Sequence, residues 1–156
     1  MKFPPLIRWL VVAVAMVAAS AFAVSVQAGA WWSLADVEIG PFGSRQCFGG
    51  DCRPAGMGWI QGSERWARTG IATWAAGLMA MLVLIVLAGA VAAGRIPRLA
   101  ARTALVAIAV ALIASTAFVL GYPGVNGASV DRGIFLYAGG IVLGLVAAIA
   151  VLRRPR

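Results

Sequence analysis

Residues 31–66 read WWSLADVEIGPFGSRQCFGGDCRPAGMGWIQGSERW and separate the first two of four long apolar runs. This stretch holds both cysteines, Trp31, Trp32 and Trp66, and four of the five acidic residues. Within it Leu34-Ala35-Asp36-Val37-Glu38-Ile39 alternates, with Val37 and Ile39 on one face and Asp36 and Glu38 on the other. That is the pattern of a half-solvated strand. Gly40-Pro41 interrupts it and Phe42 follows. Cys47-Phe48-Gly49-Gly50-Asp51-Cys52 comes next, and two glycines in a four-residue gap permit a tight turn. The cysteines then face each other across a hairpin at bridging distance. A redox-active pair is the competing reading. Quinone-linked four-helix thiol oxidoreductases use Cys-x-x-Cys and a second relay pair, whereas this chain has two cysteines in all, with four residues between them. A structural clasp is therefore expected. Closing so short a loop removes little chain entropy, so its main effect is on the shape of the turn.

Outward from this stretch the chain is mostly hydrocarbon. It is 62% hydrophobic and 12% charged, against about 25% charged in soluble domains. The mean hydropathy is +0.94. These values predict a single integral membrane domain over residues 1–156, all-α in its spans, with a four-helix transmembrane bundle. The spans fall at about 9–28, 69–93, 103–121 and 133–152, and the first outer loop covers 29–67. The twenty uncharged residues of the first run reach across about 30 Å of bilayer core. Gly94-Arg95-Ile96-Pro97-Arg98 stops the second run, and Gly121-Tyr122-Pro123-Gly124 with Asn126-Gly127 marks a compact turn after the third. The first run has a second reading. Lys2 and Arg8 resemble the basic start of a signal peptide, and Val26-Gln27-Ala28 resembles its cleavage site. The run exceeds the usual 7–15 apolar residues of such a segment, which favours a retained helix.

Charge sets the orientation. Lys2, Arg8, Arg95, Arg98, Arg102, Arg153, Arg154 and Arg156 fall on one side with no acid. Arg45, Arg53, Arg65, Arg68 and Arg132 on the other side are balanced by Asp36, Glu38, Asp51, Glu64 and Asp131. The whole net charge of +8 thus lies on one face, which the positive-inside rule makes cytoplasmic, together with both termini. The cysteines then sit outside the cytoplasm, where a disulfide persists. Basicity of this kind is topological, with some attraction to anionic headgroups, and nucleic acid is not an expected partner because no soluble domain presents a basic patch.

The spans carry no Asp, Glu, Lys or Arg, which argues against proton-coupled transport and voltage sensing. Polar residues within them include Ser20, Ser25, Gln27, Thr73, Ser115 and Thr116. Hydroxyls of this kind commonly bond back to their own helix, and Ser115-Thr116 is the candidate for a bond between helices. Lipid gives no hydrophobic drive for helix association, so small residues mark the contacts. Candidate stripes are Ala15/Ala19/Ala23, Ala72/Ala76/Ala80, Ala104/Ala107/Ala111/Ala114, and Gly140/Gly144 continued by Ala147 or Ala148. They face one another within one chain, or the Gly140/Gly144 face makes a dimer. Trp31 and Trp32 directly follow the first span and Trp66 precedes the second, the place of headgroup-level anchors.

The order of these features resembles the claudin and peripheral-myelin-protein tetraspan superfamily. Members have four spans, internal termini, a long first outer loop, a Trp after the first helix, then Gly-Leu-Trp and two bonded cysteines. Trp31 or Trp32 matches the first Trp, Cys47 and Cys52 match the cysteines, and Gly40-Pro41-Phe42 stands near the Gly-Leu-Trp position with Phe42 in place of tryptophan. Phe42 lies five residues before Cys47, farther than in the family, and the two cysteines are closer together than usual. The resemblance implies a left-handed bundle with a small extracytoplasmic β-sheet of three or more strands, drawn from residues 32–40 and 43–57.

Function is read less sharply. With no histidine and no second cysteine pair, the chain offers no recognisable catalytic constellation. The expected protein is a non-enzymatic tetraspan without cofactor or metal. Its clasped outer loop, with Trp31, Trp32, Gly40 and Phe42, binds a partner or organises the membrane. The partners are the lipid bilayer and, through that loop, a second copy or another membrane protein. The alternative is a small transporter, channel-accessory or lipid-handling subunit. Twelve arginines to one lysine and plain alanine-rich spans suggest a bacterial inner membrane.

Overall fold

A computed structural model describes residues 4–28, 30–60 and 63–154. Lys2 and Arg156, two of the charges assigned above to the basic face, lie outside the described residues. Four helices carry the chain: α1 (Pro5–Gln27), α2 (Ser63–Ala92), α3 (Arg98–Leu120) and α4 (Arg132–Leu152). Each is long and apolar enough to cross a membrane, as a multi-pass membrane protein requires. The helices outrun the apolar runs at their ends. Ser63-Glu64-Arg65-Trp66-Ala67-Arg68 forms the start of α2, although it is too polar to read as part of a span. Hydropathy marks the length that lipid tolerates, while the backbone goes on hydrogen-bonding past it.

The helices pack as a ring in which α1 meets α2 and α4, and α3 meets α2 and α4. Most of the small-residue stripes lie inside this ring, although Ala72 is exposed and Ala23 and Ala114 are half-buried. Ala15, Ala19, Ala80, Ala104 and Ala111 are all buried. Gly140 meets the ring of Phe22, where an added Cβ would stand 3.1 Å from it, and Gly144 meets Ile108 at 2.8 Å and Leu84 at 3.3 Å. The Gly140/Gly144 face is therefore filled from within the chain and not open for a dimer.

Five short strands form one antiparallel sheet: β1 (Trp32–Leu34), β2 (Val37–Gly40), β3 (Gly43–Phe48), β4 (Asp51–Pro54) and β5 (Ser129–Val130). The order is β4-β3-β2-β1-β5. Because β5 comes from the α3–α4 connection and pairs with β1, both long connections meet at one end of the bundle. The other end carries the α2–α3 turn, the start of α1 and the end of α4, with Arg8, Arg95, Arg98, Arg102, Arg153 and Arg154 among the described residues.

One expectation is corrected. The alternating run from Leu34 to Ile39 is not a single strand, because the chain reverses at Ala35-Asp36 and Leu34 pairs with Val37. Ala35 takes the left-handed φ of +47°. Asp36 is a turn former, but Ala35 in the left-handed position takes the place where glycine or asparagine is expected, so the alternation hides the turn.

Candidate functional site

The sheet end holds the clasp, the aromatic residues and a cleft, and each is positioned by a different device. Cys47 and Cys52 are cross-strand partners in the β3–β4 hairpin and form a disulfide. Gly49 and Gly50 make the turn at φ +57° and +95°, a region closed to most side chains. Every residue of β4 is exposed, so this outer strand of the hairpin stands clear of the bundle. Phe48, beside the turn, is 60% exposed.

Trp31, Trp32 and Trp66 are buried, and this corrects their reading as headgroup anchors. They form the floor on which the sheet sits. Trp32 stacks on Tyr122 at 4.3 Å and Trp66 on Phe118 at 4.8 Å. Trp31 meets Phe118 at 5.4 Å and Tyr137 at 5.1 Å, and Tyr137 meets Phe22 edge-on at 5.0 Å. Each indole N–H of this floor that is buried needs an acceptor. Trp66 Nε1 donates to the Phe118 carbonyl at 2.8 Å, and Trp31 Nε1 donates to Ser25 Oγ at 3.1 Å. Burial pushes the Tyr122 phenol above its ordinary pKa, so it stays neutral through physiological pH.

Ser25 ties this floor to α4. Its hydroxyl donates to the Gly133 carbonyl at 2.7 Å, and the Gly133 N–H donates to the Ala30 carbonyl at 2.7 Å. A side chain at 133 would run into Trp31 and the Ala30 carbonyl, so only glycine lets the start of α4 come this close. Ser115, of the pair offered as an exception, donates to the Leu112 carbonyl of its own helix at 3.0 Å, the behaviour expected of span hydroxyls in general. Thr73 likewise bonds back to Thr69, while its carbonyl accepts from Tyr137 Oη at 3.1 Å. Sequence reading named Ser25 only as one span hydroxyl among others and missed Phe22, Phe118 and Tyr137. The available signal was an aromatic residue on one helix set against glycine on another, as Phe22 is set against Gly140.

Gly40 and Phe42 belong to the β2–β3 turn, in which Gly40 pairs with Gly43. The Pro41 carbonyl rests on the bare Cα of Gly70 in α2. Phe42 is 69% exposed, with its ring 5.1 Å from that of Trp74. Phe42 thus projects from the junction, whereas the two tryptophans of the same motif are interior.

Between this turn and the end of α1 lies a cleft of about 220 Å³, lined among others by Gln27, Glu38, Phe42, Ser44 and Arg45. Arg45 Nη2 pairs with Glu38 Oε2 at 2.8 Å and donates to the Ala28 carbonyl at 3.1 Å. Ser44 Oγ donates to the Gly56 carbonyl and accepts from Trp59 Nε1. These polar groups satisfy one another and join sheet, loop and helix. Among the described residues no three Cys, Asp or Glu side chains come together as a metal site.

No protein-family model matches the chain, and no curated protein does.

Proposed function

We propose that the chain is a four-span, non-enzymatic membrane protein of the claudin-like tetraspan type, whose extracytoplasmic sheet presents a shaped surface to a protein partner or to a second copy of itself. One observation carries this reading: a sheet seated on buried Trp31, Trp32 and Trp66 turns Phe42 outward beside the bundle and Phe48 outward on the clasped hairpin. Exposed aromatics on a fixed platform suit a contact surface, since they bury large area at little cost in side-chain entropy. The arginines gathered at the opposite end support cytoplasmic termini. The place of α1 in the helix ring, with Phe22, Ser25 and Val26 in the core, supports a retained first helix. Arginine-rich composition supports a bacterial inner membrane as the location.

Photocrosslinking from position 48 in native membranes, read by mass spectrometry, tests the partner. A crosslink to one protein or to a second copy is expected, and it should vanish when the crosslinker is moved to buried Ile39. Capture of lipid alone would remove the basis of the proposal. After mild reduction, Cys47 and Cys52 should react with an impermeant maleimide in intact cells. Labelling only after lysis would reverse the orientation. Recovery of a peptide spanning Ala28–Trp31 from the mature protein is expected if α1 is retained.

A further inference from the structure

The basic end of the bundle has a feature of its own. Between α2 and α3 runs an apolar groove in two connected parts, of about 300 Å³ and 210 Å³, which share Val83 and Thr103. The larger part lies toward the arginine end, with Leu82 and Val86 on one wall and Leu99 on the other. The smaller part continues along α3 past Val106 to Val110. Thr103, the hydroxyl in the groove, is satisfied by the Leu99 carbonyl of its own helix at 3.1 Å. No polar group there calls for water or a polar ligand.

Length and charge define the occupant. Leu99 to Val110 covers about 16 Å at the helical rise, roughly half of a bilayer core and so the depth of one leaflet. Arg95, in the α2–α3 connection, and Arg102, in the first turns of α3, are both exposed at this end of the bundle. Arg102 follows Leu99 by three residues and precedes Val106 by four, so it borders the groove-lining stripe of α3. Arg98 has another task, donating to the Arg154 carbonyl at 2.6 Å and so tying the α2–α3 turn to the end of α4. All five acidic residues of the chain are in the segments at the sheet end, so no carboxylate competes for Arg95 and Arg102. The first turn of α3 also has no acidic residue, and its positive dipole end adds to the field of the arginines.

We propose that this groove holds an acyl chain of an anionic phospholipid whose phosphate is met by Arg95 and Arg102. The proposal rests on the reading of the chain as a membrane protein, and adds to it a defined lipid site on the face opposite the sheet.

The test uses the full chain in nanodiscs of equal phosphatidylglycerol and phosphatidylcholine, with retained lipids counted by native mass spectrometry. Phosphatidylglycerol should be retained roughly tenfold over phosphatidylcholine, given the attraction of two arginines to an anionic headgroup. Arg95→Gln with Arg102→Gln should abolish most of that preference, and Arg95→Lys with Arg102→Lys should restore part of it. Arg53→Gln with Arg65→Gln removes the same charge from the sheet end and should leave the preference intact. Val106→Trp, which fills the groove, should lower retention of both lipids. Equal retention of the two lipids by the parent chain overturns the proposal. So does a preference that survives loss of Arg95 and Arg102, an equal loss in the Arg53/Arg65 variant, or dimer masses without lipid. Thermal melting of each variant separates lost lipid from lost fold. Carbonate extraction separates the two readings: a chain released from membranes defeats both, whereas one that stays and shows no preference defeats the lipid site alone.

Discussion

The two sides of the sheet are held by different physics. At the β1 side, Trp31 and Trp32 are buried against Phe118, Tyr122 and Tyr137, and β1 gains a second partner in β5. At the β4 side every residue of the strand is exposed, and the hairpin is tied back through β3, where Ser44 is buried and Arg45 donates to the Ala28 carbonyl. There the Cys47–Cys52 bond takes the place of a core. A strand that buries large side chains needs no crosslink, and one that buries nothing cannot hold its register by burial. The disulfide therefore appears where hydrophobic stabilisation ends. The contrast also locates the surface available for recognition, because a residue committed to the floor cannot meet a partner.

The contrast predicts unequal costs. Trp31→Ala should be the most damaging change, at about 3–5 kcal/mol, as for other buried large-to-small aromatic substitutions. It empties the centre of the floor and leaves Ser25 Oγ without the indole N–H. Unfolding of the purified chain in mixed micelles would measure it, and a loss under about 1 kcal/mol would mean that the sheet does not depend on its floor. Ser25→Ala should follow at about 1 kcal/mol, because the Gly133 carbonyl loses the bond from this hydroxyl and Trp31 Nε1 loses one of its two acceptors, keeping the Ser25 carbonyl at 3.2 Å. Ser115→Ala is its control and should cost less, since that hydroxyl bonds only to its own helix.

The clasp should behave differently. Cys47→Ser with Cys52→Ser opens a loop so short that chain entropy assigns it only about 2 kcal/mol. That loss should be confined to the hairpin, which can open without disturbing the floor. Hydrogen exchange is expected to speed up at residues 44–54 and to remain slow at Trp32 and Ile39. Equal acceleration at both places would mean that the sheet opens as one unit and would erase the contrast.

How much of this was legible in the sequence follows the same division. Long apolar runs and a Cys-Phe-Gly-Gly-Asp-Cys turn are local signals, and they indicated four helices, a strand region and a bridge. The floor is not local. Ser25 and Gly133 meet across 108 residues, and neither has a sequence feature that distinguishes it from the other small polar or glycine residues of the spans. The tryptophans were misplaced for a related reason. Position beside an apolar run suits an interfacial anchor and a buried junction equally, and only the strands folding back over Trp31, Trp32 and Trp66 decide between them. Phe42 kept its outward place because the turn that carries it is set by Gly40, Pro41 and Gly43 alone.

The finest test lies at the boundary between the two sides, in the turn that was hidden by alternation. Ala35 is the one non-glycine residue with positive φ among the described residues, a conformation that costs an L-residue about 1–2 kcal/mol. Its side chain is exposed, so it gains no packing in return. Glycine takes this φ without penalty but gives the unfolded chain more freedom, an opposing effect of about 0.4–1 kcal/mol. Ala35→Gly should therefore stabilise the protein by a net of under about 1 kcal/mol. Val at the same position should destabilise it, because a β-branched side chain tolerates positive φ least. The gain should appear as slower exchange in β1 and β2 and leave the β3–β4 hairpin unchanged, since the disulfide already fixes that register. If Ala35→Gly destabilises, the reversal at Ala35-Asp36 is not strained, and the turn is held by the Asp36 carbonyl accepting from the Cys47 N–H at 2.7 Å. In that case the clasped side of the sheet would be supporting the buried side, the reverse of the dependence argued above.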